Sequence, residues 1–231
     1  MWAFPLAASI VSLVFAGLLG RQFVARRRPY QLLWALALLM YAAASFALFL
    51  GVVDGWSEAE YQAYWLFGAV LNVPYLAVGE LYLLVKDRRV NTVVLVLLLF
   101  ATAFAFARVR SATPVPSALA TDLPQGKEAW ANDPSVLDLA RLYAFPAYFL
   151  LLGGTLWSAW TMRGRPDLRD RFVGTLLIAI GATIVAAGSA FALTGNLVGF
   201  SLTLSVGITA MFVGFLRASR PSRAASARSE T

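Results

Sequence analysis

Seven apolar stretches of about 16–24 residues, each bounded by a short charged or turn-forming run, fill most of this 231-residue chain. A hydrocarbon core ~30 Å thick takes about 20 helical residues to cross, so each stretch is long enough to be a span. The spacing predicts an all-α, polytopic membrane protein, a bundle of seven transmembrane helices over about 3–20, 31–53, 61–85, 91–108, 138–161, 172–193 and 197–216. That leaves a membrane domain (1–216), one long connection (about 109–137) and a basic tail (217–231) that reads as disordered. A separate soluble catalytic domain has no room.

Composition bears on the same point, because 60% hydrophobic residues and 13% charged residues give more apolar surface than a soluble core can hide. The net charge of +7 is distributed as a topology signal rather than as a nucleic-acid footprint. Arg21, Arg26, Arg27 and Arg28 follow the first stretch, and Lys86, Arg88 and Arg89 the third. Arg163, Arg165, Arg169 and Arg171 follow the fifth, and Arg217, Arg220, Arg223 and Arg228 the seventh. With seven crossings these 15 of the 19 Lys and Arg share one side. By the positive-inside rule that side is the cytoplasm, so the N-terminus lies outside and the C-terminus inside. The arginines come after the first apolar stretch, the order of a signal anchor. The expected location is a bacterial cytoplasmic (inner) membrane. Trp2, Trp56 and Trp130 at one boundary and Trp34, Trp157 and Trp160 at the other read as aromatic belts.

Cysteine and histidine are both absent. No disulfide, thiolate metal site, His-ligated haem or zinc, or Ser-His protease can be built without them. No cofactor, no metal site and no enzymatic activity are expected.

The third stretch carries Tyr61, Trp65, Gly68, Asn72, Tyr75, Gly79 and Tyr82 at spacings of three and four, a single polar and small-residue stripe that should face protein rather than lipid. It lines a ligand cavity or glues helices together through Asn72. Pro74 removes a backbone donor, which predicts a kink near the middle of the span. On the fifth, Asp138, Arg141, Tyr148 and Thr155 share a face beside Pro146. Arg141 lies about one turn inside the membrane, where a charge marks a functional site or a local ion pair with Asp138. Arg108 and Arg110, at the end of the fourth stretch, are placed to join Arg141 around an anionic group, since the planar guanidinium suits carboxylate or phosphate. Glu80, the one acid well within a span, is either a proton carrier or cation ligand, or it pairs with a basic residue of the cytoplasmic loops or reaches water there.

Gly174, Gly181, Gly188 and Gly195 recur at intervals of seven on the sixth stretch, with Ala182 and Ala186 in a small-xxx-small pair. The seventh repeats that spacing in Thr203 and Gly207, then Ala210 and Gly214. Such residues let helix backbones approach closely, within the chain or against a membrane-protein partner or a second copy.

A rhodopsin of the microbial type needs a Schiff-base lysine in the seventh helix, and the only lysines here are Lys86 and Lys127, both in loops. Asp87-Arg88 looks like the acid–Arg pair of G-protein-coupled receptors, but the receptors' disulfide is impossible. In its Ala, Leu, Val and Arg-rich style the chain resembles uncharacterised seven-helix membrane proteins of high-GC bacteria. The segment from Leu33-Trp34-Ala35-Leu36-Ala37-Leu38 through the third helix is similar in manner to the seven-helix sensor regions that precede bacterial histidine kinases. That resemblance implies a sensor-like role and assigns no catalytic residue.

Together these features point to a non-enzymatic sensory or binding module for a small anionic molecule or lipid. Its cavity would open outward between the second, third, fifth, sixth and seventh helices, lined by Tyr64, Asn72, Arg141 and Tyr148 under the long loop. The alternatives are an accessory or assembly subunit using the sixth and seventh helices, and a small transporter using Glu80.

Overall fold

The computed structural model describes residues 2–219 and is built of helices, seven of them long and apolar enough to cross a membrane. They are α1 (Ala3–Arg26), α2 (Pro29–Asp54), α3 (Glu58–Leu84), α4 (Arg88–Ser111), α5 (Pro134–Met162), α6 (Arg169–Leu193) and α7 (Leu197–Ala218). The expected tail after residue 219, with Arg220, Arg223 and Arg228, lies outside the described residues.

Most helices run up to a turn beyond the apolar stretches, because hydrophobicity marks the part that crosses while capping chemistry marks where the helix stops. Arg27 closes α1 in the left-handed region at φ 52, its N–H donating to the Phe23 carbonyl. Ser57 and Glu60 form a reciprocal capping box at the start of α3. Asp87 caps α4 by accepting from Arg89 N–H, and Asn196 caps α7 by accepting from Gly199 N–H. Pro29 and Pro134 occupy first-turn positions of α2 and α5, where no N–H is needed. Gly55 ends α2 at φ +84, a conformation a side chain would strain.

In the middle of α3 the chain widens into a π-helical segment, Trp65–Leu71. The kink expected at Pro74 takes this form: proline has no N–H to give the Val70 carbonyl, and the backbone immediately before it changes register to bonds five residues apart. One consequence is that residues on either side of the segment no longer share a face at ordinary α-helical spacing.

Helices α1, α2, α3, α5, α6 and α7 close a ring, each packed on the next and α7 on α1, while α4 stands outside against α3 and only touches α5. The core inside the ring includes Phe15, Leu19, Leu38, Leu48, Val70, Leu71, Phe200, Leu204 and Ile208. Buried polar side chains cross between helices to backbone carbonyls: Ser9 Oγ donates to Ala42 O at 2.9 Å and Tyr41 Oη to Leu204 O at 3.0 Å. The stripe on α3 does face protein, but not one neighbour: Tyr61 and Trp65 meet the connection after α4, Tyr75 and Tyr82 meet α4, and Gly68, Asn72 and Gly79 meet α2. Asn72 Nδ2 donates to Ala37 O at 2.9 Å, Gly68 lies against Ala44, and Gly79 makes room for Trp34, whose Nε1 donates to Leu76 O at 3.0 Å.

The small residues of α6 and α7 lie against one another in an antiparallel register. A methyl group built on Gly174 would stand 2.5 Å from the Gly214 carbonyl, one on Gly181 2.5 Å from the Gly207 carbonyl, and Gly188 faces Thr203. These faces are occupied within the chain. Gly195 belongs to the turn beyond α6, at φ +67. Gly181→Val should therefore cost about 1–3 kcal/mol through forced separation of the two backbones. Gly153→Ala, where a methyl meets nothing within 4 Å, should leave the melting temperature in detergent unchanged or raise it. Equal melting of wild type and Gly181→Val would refute the close approach.

Candidate functional site

The connection from Ala112 to Asp133 folds as a cap over one end of the ring. Val115 N–H donates to Ala129 O at 2.8 Å, a short helix spans Gly126–Ala129, and Leu123 and Trp130 are buried. Three side chains from the start of α3 and the turn before it hold the cap down. Trp56 Nε1 donates to Asp122 O at 3.1 Å, Tyr61 Oη to Pro124 O at 3.5 Å, and Gln62 Nε2 to Ala112 O at 2.9 Å. Beneath it, Trp56, Tyr61, Tyr64, Trp65 and Trp130 form one aromatic cluster with ring centroids 5.3–6.1 Å apart, and Phe200 of α7 adds an edge to Tyr64 at 6.4 Å. Trp56 and Trp130 are thus core residues of the cap, not members of a boundary belt; Trp2, Trp157 and Trp160 are exposed as a belt requires.

The four residues expected to line one cavity are not brought together. Tyr64 sits in the aromatic cluster and Asn72 is spent on α2, pointing to different neighbours because the π segment lies between them. Tyr148 Oη bonds Thr183 Oγ1 of α6 at 3.2 Å. Arg141 lies on the outside of the bundle, 54% exposed, its Nη1 donating to Asp138 Oδ1 at 3.1 Å. Arg110 turns away from Arg141 as well, donating to Gln62 Oε1 at 2.6 Å and tying α4 to α3.

Arg108 and Arg141 both line a lateral groove between α4 and α5, each with its own carboxylate partner. The groove encloses about 690 Å³ and is lined by Phe104 and Arg108 of α4 and by Ser135, Asp138, Leu139, Arg141, Leu142, Phe145 and Pro146 of α5. It exists because α4 packs on α3, through Tyr75 Oη against Thr102 Oγ1 at 3.1 Å, while α5 reaches α4 through two separated bonds, Tyr143 Oη donating to Ala101 O at 3.1 Å and Ser135 Oγ accepting from Arg108 Nη2 at 2.5 Å. Pro146 lines its apolar end; the ring takes the place of the N–H that would have bonded the Leu142 carbonyl one turn earlier.

At the polar end, Arg108 Nη2 contacts both oxygens of Asp133, at 2.5 and 2.6 Å, and Ser135 Oγ donates to Asp133 Oδ1 at 2.8 Å. The Ser135 hydroxyl, followed by the Arg108 guanidinium, holds the Asp133 carboxyl below the usual carboxylate range. Neither Asp133 nor Ser135 belongs to any of the periodic patterns of the sequence. The signal available was Asp133-Pro134, an acid followed by a proline at a helix start, which places a carboxylate at the end of α5 nearest the end of α4.

Glu80 is 1% exposed, on the α3 face that meets α5. It lies against Gly154 and accepts from Ser158 Oγ at 3.3 Å, and among the described residues no cation pairs with it. The expected basic partner is replaced by a hydroxyl. Among the described residues no group of acids is placed to hold a metal ion.

No protein-family model, no curated protein and no solved structure matches this chain.

Two outcomes follow from this geometry. Trp130 is 1% exposed but its Nε1 has no hydrogen-bond partner, so Trp130→Phe should cost far less than the ~3–5 kcal/mol of Trp130→Ala. Melting temperature and protease cleavage within the cap report the difference. Because the folded Asp133 carboxyl titrates below its unfolded value of ~3.9, its contribution to stability is complete above that pH. The contribution is lost as pH falls through the folded value. The difference in melting temperature between wild type and Asp133→Asn should hold from neutral pH to about 4 and then shrink.

Proposed function

We propose that this protein is a non-enzymatic, multi-pass module of the bacterial cytoplasmic membrane that binds an amphiphile entering sideways from the bilayer through the α4/α5 groove. The observation that carries this reading is an apolar groove on the flank of the bundle whose lining runs, along α4 and α5, from aromatic and leucine side chains to residues with charged ends. Arg108, Ser135, Asp138 and Arg141 occupy the end near the cap, and Phe104, Leu142, Phe145 and Pro146 the end toward the middle of the span. Arg141 lies seven residues into α5, about 10 Å from its start at 1.5 Å per residue. That is the depth at which a long cationic side chain meets lipid headgroups rather than hydrocarbon. An amphiphile lying in the groove would put its apolar portion on the aromatic and leucine walls and its charged portion among the side chains above them.

The positive-inside distribution supports an orientation with the arginine-rich turns in the cytoplasm, which places the groove's polar end and the cap on the outer side. Binding there would be sensed by the ring through α5, which contacts α3 and α6, consistent with the sensor-like style of the second and third helices.

The test is native mass spectrometry of the protein released from its membrane with lipids retained. Wild type should carry one amphiphile per chain. Leu142→Trp should lose it without loss of fold, since Leu142 is 69% exposed and a larger ring there fills the groove rather than the core. Equal retention by the two proteins would mean that the bound molecule is elsewhere, and would sink the proposal.

A further inference from the structure

The charges of the groove do not sum to a simple anion site. Arg108 is opposed by Asp133, which contacts it through both oxygens. Arg141 is opposed by Asp138, but that pair is of a different kind: one hydrogen bond at 3.1 Å, three residues apart on one helix, with side chains 54% and 69% exposed. A guanidinium has five N–H donors and an ionised carboxylate about four lone-pair sites. Each partner therefore keeps most of its capacity free, the cation and the anion side by side at the mouth of an apolar groove.

We infer that this pair recognises a zwitterionic phospholipid headgroup carrying a primary ammonium, the phosphate against Arg141 and the ammonium against Asp138. This deepens the reading of the groove as an amphiphile site and rests on it. Arginine takes phosphate in a two-pronged hydrogen-bonded fit. A primary ammonium donates three hydrogen bonds, and the two-carbon spacer of an ethanolamine headgroup keeps it beside its own phosphate, as Asp138 is kept beside Arg141. The exposed pair within α5 contributes little by itself, so exchanging it for two contacts with the headgroup loses little. A trimethylated ammonium has no N–H to give Asp138. A glycerol headgroup has no ammonium for Asp138, so phosphate and carboxylate would set two negative charges against the single positive charge of Arg141, and like charge disfavours it. The orientation fits the groove, since the acyl chains then run past Leu142 and Phe145 toward Pro146.

The experiment reconstitutes full-length protein in bilayers of equal parts phosphatidylethanolamine, phosphatidylcholine and phosphatidylglycerol with matched acyl chains. Native mass spectrometry then reads the lipid retained. Wild type should retain phosphatidylethanolamine about tenfold over each of the others, a ratio worth ~1.4 kcal/mol. Asp138→Asn, a change at an exposed position, should bring ethanolamine and choline lipids to near parity while total retention persists. Arg141→Gln should reduce retention of all three. Preference for phosphatidylglycerol in wild type, or an unchanged preference in Asp138→Asn, would overturn the headgroup assignment and leave the lateral groove standing. Retention unaffected by both these variants and by Leu142→Trp would remove the groove itself.

Discussion

In hydrocarbon a polar group has no water to fall back on, and each one left unpaired costs several kcal/mol. That constraint shapes this bundle at two levels. Helix formation satisfies the backbone within each span, and polar side chains, buried or half-buried, are then placed on carbonyls of neighbouring helices. Ser9 on Ala42, Asn72 on Ala37, Trp34 on Leu76, Tyr41 on Leu204, Tyr143 on Ala101 and Ser205 on Phe4 are bonds of this kind. They link α1 to α2, α2 to α3, α2 to α7, α5 to α4 and α7 to α1. Between them the small residues of α6 and α7 bring two backbones to van der Waals contact.

Helix α4 departs from this pattern. It buries only Leu98, Ala105 and Val109, and most of its length presents Val93, Val96, Leu97, Phe100, Phe104 and Phe106 outward. It is fastened by Tyr82 Oη and Asn91 Nδ2 bonds at one end, by Arg108 with Asp133 and Arg110 with Gln62 at the other, and between them by single bonds from Tyr75 to Thr102 and from Tyr143 to Ala101. The groove is what such a fastening leaves over. A helix held against α3 and only touching α5 cannot close the space beside Leu142 and Phe145.

Helix number, the buried face of α3 and the α6/α7 contact were legible in the residues, because each rests on a period that a single helix carries within itself. The Arg141–Asp138 pair was legible for the same reason, at a spacing of three. Residues whose role depends on which helices are neighbours were not. Asp133 means little until α4 is known to end beside the start of α5. Trp130 lies in a non-periodic connection, and its place among Tyr61 and Trp65 is set by contacts across more than sixty residues. Tyr64 and Asn72, eight apart, would share a face on an unbroken α-helix; the π segment between them undoes that inference. The lining of the proposed cavity dispersed for this reason and because Arg141 and Tyr148, though close on α5, point to the outside of the bundle and to α6 respectively.

The bond from Ser205 Oγ to the Phe4 carbonyl, 2.7 Å across 201 residues of chain, belongs to the seam where α7 closes the ring on α1. Helices enter a membrane in the order they are made, so that seam cannot form until six spans are already in place. Until then the face of α1 that carries Phe15, which packs on Phe212 and Phe215, is sheltered by lipid alone. A bundle still lacking its last span would therefore leave this side of its interior open to a chaperone or a neighbouring chain.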